Sequence, residues 1–281
     1  MALVSAGEIV AAARAAATGA GSFNLVGIEF AEAIVTGAEL AKAAVILQVS
    51  ENCVRYHGAA EPILAAAAAI ARAAPLPVAV HLDHVTDPDL VKAGVAAGAG
   101  SVMFDASALD YQANVAATAE ITRWCHHRGV WVEAELGEVG GKDGVHAPGA
   151  RTRPAEAAGY VAATGVDALG VAVGSSHAML TRDAVLDLAL IKEISALVPV
   201  PLVLHGSSGV PDDTLAAAVR AGMTKINIAT QLNKVFTSAV RHQLSADESV
   251  VDPRKYLAAG RAAVAAEVAR LLALLGAGVA S

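Results

Sequence analysis

The sequence predicts a single (β/α)8 barrel, a TIM barrel carrying an extra C-terminal helix and filling residues 1–281 as one domain. Three observations predict it. Short apolar runs recur eight times along the chain, each about the length of a buried strand. Alanine-rich stretches with helical periodicity lie between them. Hydrophobic residues make up 55% of the chain but aromatics only 4%, so the core must be built from Ala, Val, Leu and Ile, which suits helices packed closely on a parallel sheet. An open doubly wound sheet would show the same alternation and is the competing arrangement.

Taken in order, the chain begins with "MALVSAGEIVAAARAAATGAG". Glu8 and Arg14 interrupt its apolar run and no basic region precedes it, so it reads as an amphipathic helix and not a signal peptide. The strand candidates are 22–26 (SFNLV), 44–49 (AVILQV), 77–82 (PVAVHL) and 101–105 (SVMFD), then 130–136 (VWVEAEL), 168–173 (ALGVAV), 201–205 (PLVLH) and 225–229 (KINIA). Helical periodicity covers 59–73, 87–98, 110–128, 183–197 and 211–221. "TDPDL" and "VPDDTL" place Pro and acidic residues in first turns, while "AAGAG" and "RAGMT" place Gly just past helix ends. After "ESVVDPRKYL" the additional helix is expected over 258–276.

Composition narrows the function. Net charge is −7 and no Lys/Arg run is present, which argues against a nucleic-acid partner. The longest alanine run, "ILAAAAAIA", is stopped by Arg72 and is too short to span a membrane. Cys53 and Cys125 are far apart in sequence and fit reduced thiols filling the core. Together these point to the cytoplasm and a small-molecule substrate.

Polar residues gather at the C-terminal ends of the predicted strands: Asn24, Gln48, Ser50, Asp83, His84, Asp105, Glu133, Glu135 and Asn227, with His205 ending one strand and His177 following another. In a barrel these ends share the rim where active sites lie. Any one of them is explained by polarity resuming at a strand end; three imidazoles from three strand ends instead match a catalytic zinc site with one open position. His81, in register with Asp83 inside its strand, reads as a supporting residue, and His57, His126, His127, His146 and His242 as solvated surface. "HGSSGVPDD" after the seventh strand and "NIATQL" at the eighth supply backbone N–H groups and a helix N-terminus able to cradle a phosphate; elsewhere in a chain "GSSG" would be an ordinary turn.

The ordered set "HLDH", "SVMFDAS", "VEAELGEVGG", "TGVDALGVAVGSSH", "PLVLHGSSG", "KINIAT" and "DPRKYL" resembles the class II, metal-dependent ketose-bisphosphate aldolases, which act on fructose or tagatose 1,6-bisphosphate. The resemblance runs from about residue 22 to about residue 265. It implies that His84, His177 and His205 hold zinc, or another divalent metal, with Asp105 and Glu135 at a second or alternative metal position and a monovalent cation also possible. It implies that Asp83 is the acid/base at the substrate C4 hydroxyl. Gly206, Ser207, Ser208, Asn227, Ile228, Ala229 and Thr230 would hold the dihydroxyacetone phosphate half, with Asn24, Ser50 and Ala178 completing the pocket. Arg254 would grip the far phosphate across a subunit contact, in a homodimer or homotetramer.

Several positions depart from that pattern. Ser207 replaces a glycine of the phosphate turn, Ala178 a glycine after the second histidine, and Val85 a glycine after "HLDH". "GGKDG" (140–144) stands where a Glu-Asp pair is expected, leaving Asp143 as the one candidate for its proton shuttle, and the second asparagine expected after Asn24 is missing. These changes keep two alternatives open: an aldolase for another phosphorylated ketose, and a barrel that binds sugar phosphates or metal without catalysis. A third is a Schiff-base aldolase using Lys225, which shares a strand face with Asn227.

Overall fold

The computed structural model describes residues 2–137 and 151–277. Eight parallel strands close into a barrel in sequence order: β1 (Ala20–Asn24), β2 (Val45–Ser50), β3 (Val78–Val85), β4 (Ser101–Phe104), β5 (Trp131–Leu136), β6 (Ala168–Val171), β7 (Leu202–Leu204) and β8 (Met223–Ile228). The open sheet is thereby replaced by a closed one, with β1 pairing β8 through Ser22 and Asn227. The helices are α1 (Ala6–Ala15), α2 (Ile28–Ala41), α3 (Glu51–His57), α4 (Ala60–Ala73), α5 (Pro88–Ala96) and α6 (Tyr111–His126), followed by α7 (Pro154–Thr164), α8 (Leu188–Leu197), α9 (Asp212–Ala221), α10 (Thr230–Ala246) and α11 (Pro253–Leu274). Among the described residues, no helix is long and apolar enough to cross a membrane.

Local chemistry sets the boundaries. The C-terminal helix begins at Pro253 and not at 258, because Asp252 caps it by accepting from Arg254 N at 3.0 Å and Pro fits its first turn. Likewise α8 begins at Leu188 and not at 183, where Asp187 accepts from Leu190 N at 2.9 Å. The N-terminal helix does form, capped by Ser5 and Glu8 in a reciprocal pair.

The main core lies between the strands and the surrounding helices. A smaller cluster joins Ala6, Ile9, Val10 and Ala13 of α1 to Ala20, Ile46 and Ala79 at the starts of β1, β2 and β3, so α1 plugs the barrel's lower mouth. On the outside, α11 packs along α2 with Val264, Val268, Leu271 and Leu272 essentially buried, each worth about 1.5–3 kcal/mol of transfer free energy. Gly37 permits that approach: a Cβ there would lie 2.5 Å from Ala265 O and 2.7 Å from Val268 Cβ.

β3 carries the feature that matters most for the site. Its register against β4 shifts between Leu82 and Val85, and His84 within that bulge has φ +50. Strict alternation would send Asp83 and His84 to opposite faces of the sheet; the bulge re-aims one of them, so both reach the rim cavity. Val85 returns to the outward face and is buried in the core.

Candidate active site and metal centre

The rim cavity has a volume of about 520 Å³ and is lined from β1, β2, β3 and the segments after β4, β6, β7 and β8. Of the residues singled out in the sequence, Asn24, Ser50, Asp83, His84, Asp105, His177, Ala178, His205, Gly206, Ser207, Ser208, Asn227, Ala229 and Thr230 line it. Ile228 is buried behind it. Arg254 does not reach the cavity of its own chain and pairs with Asp252 at 2.8 Å. Val85, which stands where a glycine is expected after "HLDH", is core packing. Asp143 and the rest of "GGKDG", with His146, lie outside the described residues.

Three imidazoles converge at the cavity floor, with ring centroids 4.6 Å apart for His84 and His205, 5.0 Å for His84 and His177, and 5.9 Å for His177 and His205. His84, His177, His205 and Glu135 each offer a ligand atom, all within 4.8 Å of one another. Three imidazole nitrogens and one carboxylate oxygen are a donor set suited to zinc and similar divalent ions. The rings are held from behind. His84 Nδ1 lies 2.9 Å from Asp105 Oδ2, and Asp105 Oδ1 accepts from Ser107 N and Oγ. His205 Nε2 lies 2.9 Å from Glu133 Oε1. A carboxylate on one ring nitrogen leaves the other as the unprotonated ligand atom. Asp105, expected with Glu135 at a second or alternative metal position, lies against His84 Nδ1 and is not among the four clustered donors. Glu135 is among them, although it is buried beneath the cavity.

Asp83 sits beside this cluster, 4.0 Å from His84 Nε2, and accepts from Asn24 Nδ2 at 3.1 Å. Burial pushes its carboxyl pKa up, but the neighbouring His84 and His205 imidazoles and the Lys225 ammonium outweigh that and hold it below the ordinary aspartate range. It is therefore a carboxylate at neutral pH, able to accept a proton.

The turn after β7 is tighter at Gly206 than at Ser207. Gly206 has φ +67, and a Cβ on it would lie 2.6 Å from the Ser176 carbonyl. Ser207 fits without displacing the turn: it is buried, and its Oγ donates to Leu204 O at 3.0 Å. Ser208 Oγ accepts from Gln231 N in the first turn of α10, tying the turn to that helix N-terminus. Ala178 has φ +57, a left-handed conformation that explains the expectation of glycine there.

Sequence reasoning passed over Glu51, Asn52, Arg55, Thr86 and Ser176, which also line the cavity. Glu51 is buried, accepts from Thr86 N at 2.7 Å and pairs with Arg55. The available signal was Ser50, an N-cap that puts the first turn of α3 directly on the rim. Lys225 is fully buried, 2.8 Å from Glu133 Oε2, and does not line the cavity, which leaves no access for a substrate carbonyl.

A closed barrel with a donor cluster and a carboxylate on one rim has the layout of a (β/α)8 enzyme. The family model for class II fructose-bisphosphate aldolase matches residues 4–278. A fructose-bisphosphate aldolase from Geobacillus stearothermophilus is 39% identical over 272 residues, covering 95% of each chain. Among solved structures, the YdjI aldolase from Escherichia coli K12 superposes with a TM-score of 0.85 at 28% identity, covering 98% of both chains. A fructose-bisphosphate aldolase from Campylobacter jejuni shares the fold, with a TM-score of 0.82 at 20% identity over 98% of this chain and 96% of its own. The chain belongs to the class II fructose-bisphosphate aldolase family, and is a carbon–carbon lyase.

Proposed function

We propose that this aldolase is metal-dependent and reversibly cleaves a ketose 1,6-bisphosphate, of fructose or tagatose type, into dihydroxyacetone phosphate and glyceraldehyde 3-phosphate. The single observation carrying this reading is the juxtaposition of the four-donor cluster with Asp83 in one cavity. His84, His177, His205 and Glu135 would hold the ion, zinc by donor type, with Asp105 and Glu133 orienting the rings. Bound there, a divalent cation supplies Lewis-acid stabilisation of the negative charge that develops beside the substrate carbonyl.

The chain supplies the rest. Cleavage breaks the C3–C4 bond, leaves its electron pair on C3 and needs the C4 hydroxyl proton removed. Asp83 takes that proton and, in condensation, returns it. Asn24 keeps the Asp83 carboxylate facing the cavity. Gly206, Ser207 and Ser208, with Asn227 to Thr230 running from the end of β8 into the start of α10, bind the phosphate of the dihydroxyacetone half through backbone N–H groups and hydroxyls. Ser50 completes the pocket, and Arg254 from a second subunit of a homodimer or homotetramer binds the far phosphate. We place the enzyme in the cytoplasm, in carbohydrate metabolism, as one barrel domain.

Ala178 in a left-handed backbone supports a second reading, an aldolase for another phosphorylated ketose, since it stands at the cavity where its relatives are expected to have glycine. A cleavage assay over a panel of phosphorylated ketoses decides between the two. Asp83→Asn tests the proton carrier: kcat should fall by about 10²–10⁴ with zinc content unchanged. Full turnover in that variant removes Asp83 from the mechanism.

A further inference from the structure

Lys225 has no part in the reaction scheme, yet its side chain is wholly removed from solvent. An ammonium carries three donors and no acceptor. Three acceptors surround Nζ: Glu133 Oε2 at 2.8 Å, Asn227 Oδ1 at 2.9 Å and Gln48 Oε1 at 3.1 Å. Each belongs to a group that reaches onward. Glu133 places Oε1 2.9 Å from His205 Nε2, and Asn227 places Nδ2 3.1 Å from His205 Nδ1. Gln48 donates from Nε2 to Asn24 Oδ1 at 2.9 Å, and Asn24 donates from Nδ2 to Asp83 Oδ2 at 3.1 Å.

The direction of every bond in this network follows from the ammonium. Because Nζ can only donate, Gln48 and Asn227 must turn their oxygens toward it and their amide nitrogens away. Asn227 then offers an N–H to His205 Nδ1, which must be an unprotonated lone pair. The single proton of the neutral ring is left on Nε2, where the Glu133 carboxylate accepts it. By the same logic Gln48 offers an N–H to Asn24, and Asn24 offers its own to Asp83, which accepts as a carboxylate.

We propose that Lys225 is a positioning residue whose buried ammonium sets the polarity of this network, fixing the His205 tautomer in which Nδ1 carries no proton, so that its lone pair passes from the Asn227 N–H to a metal when one binds, and orienting Asp83 as a proton acceptor. The proposal rests on the metal-dependent reading of the site. It converts the lysine that sequence alone left open as a Schiff-base nucleophile into a group acting through Glu133, Asn227 and Gln48.

The test uses the full chain labelled with ¹⁵N-histidine, stripped of metal and then titrated with zinc against a competing chelator. The metal-free protein should carry the His205 proton on Nε2. Lys225→Met should give a mixture of His205 tautomers, bind zinc about 10–100-fold more weakly, and lower kcat with KM little changed. Removing one partner of a buried ion pair can unfold a protein, so two further variants separate the arms. Glu133→Gln should weaken zinc binding by about 10–100-fold. Gln48→Leu should lower kcat at least about tenfold through Asp83 while zinc affinity stays unchanged. Unchanged tautomer and zinc affinity in Lys225→Met, or unchanged zinc affinity in Glu133→Gln, would overturn the positioning role. If instead the unsubstituted enzyme cleaves substrate fully without metal, it is the metal-dependent reading that fails.

Discussion

His81 and Ala178 show how single side chains in this site trade stability against placement. His81 is fully buried against Ser101, and burial, reinforced by the Lys225 ammonium, lowers its pKa to about 3. In the unfolded chain it titrates near its ordinary value of about 6.5. Between those values the unfolded state binds a proton that the native state refuses, so stability contributed by the neutral ring falls as pH drops from about 6.5 toward 3. The thermal midpoint of His81→Gln should accordingly decline less steeply between pH 7 and pH 5 than that of the unsubstituted protein. Ala178 at φ +57 bears a left-handed penalty of about 1–2 kcal/mol, partly offset in a glycine variant by a freer unfolded chain. Urea denaturation of Ala178→Gly should therefore show a gain of about 0.5–1 kcal/mol. At this scale the sequence disclosed which residue types share the rim, since Asp83, His84 and His205 stand at strand ends. It did not disclose the aim of His84, because a β-bulge is a mismatch between two strands and leaves no mark on either alone.

Elements that bury an apolar stripe were legible as elements, because periodicity in sequence reports burial in space. The eight strands were found on that basis. For α10 only the N-terminus was legible, at "NIATQL", since of its 17 residues only Leu232 is buried. Nor was α3, whose seven residues are too few to display a period. The start of α11 was legible in principle from Asp252 and Pro253, an N-cap and a first-turn proline. Packing of α11 on α2 is the strongest test of element-level reasoning. Gly37→Ala would press a methyl group onto Ala265 O and Val268, and overpacking of this kind costs about 1–3 kcal/mol. The loss should appear as a lower urea midpoint with an unchanged denaturant slope.

For the whole molecule, closure of the barrel explains why residues far apart in the chain act as one site. Lys225 meets Gln48 across 177 residues of sequence, and His205 meets Glu133 across 72. No local pattern could reveal such pairs, although the order of strands predicted the rim on which they meet. The same closure, with α1 plugging the lower mouth, leaves the rim as the way into the site. The most direct measurement of the central claim is cleavage of fructose and tagatose 1,6-bisphosphate by the purified enzyme before chelation, after chelation, and after zinc is restored. Metal-dependent cleavage predicts that activity falls to background on chelation and returns with zinc. Undiminished cleavage by the stripped enzyme, with borohydride trapping substrate on Lys225, would contradict it.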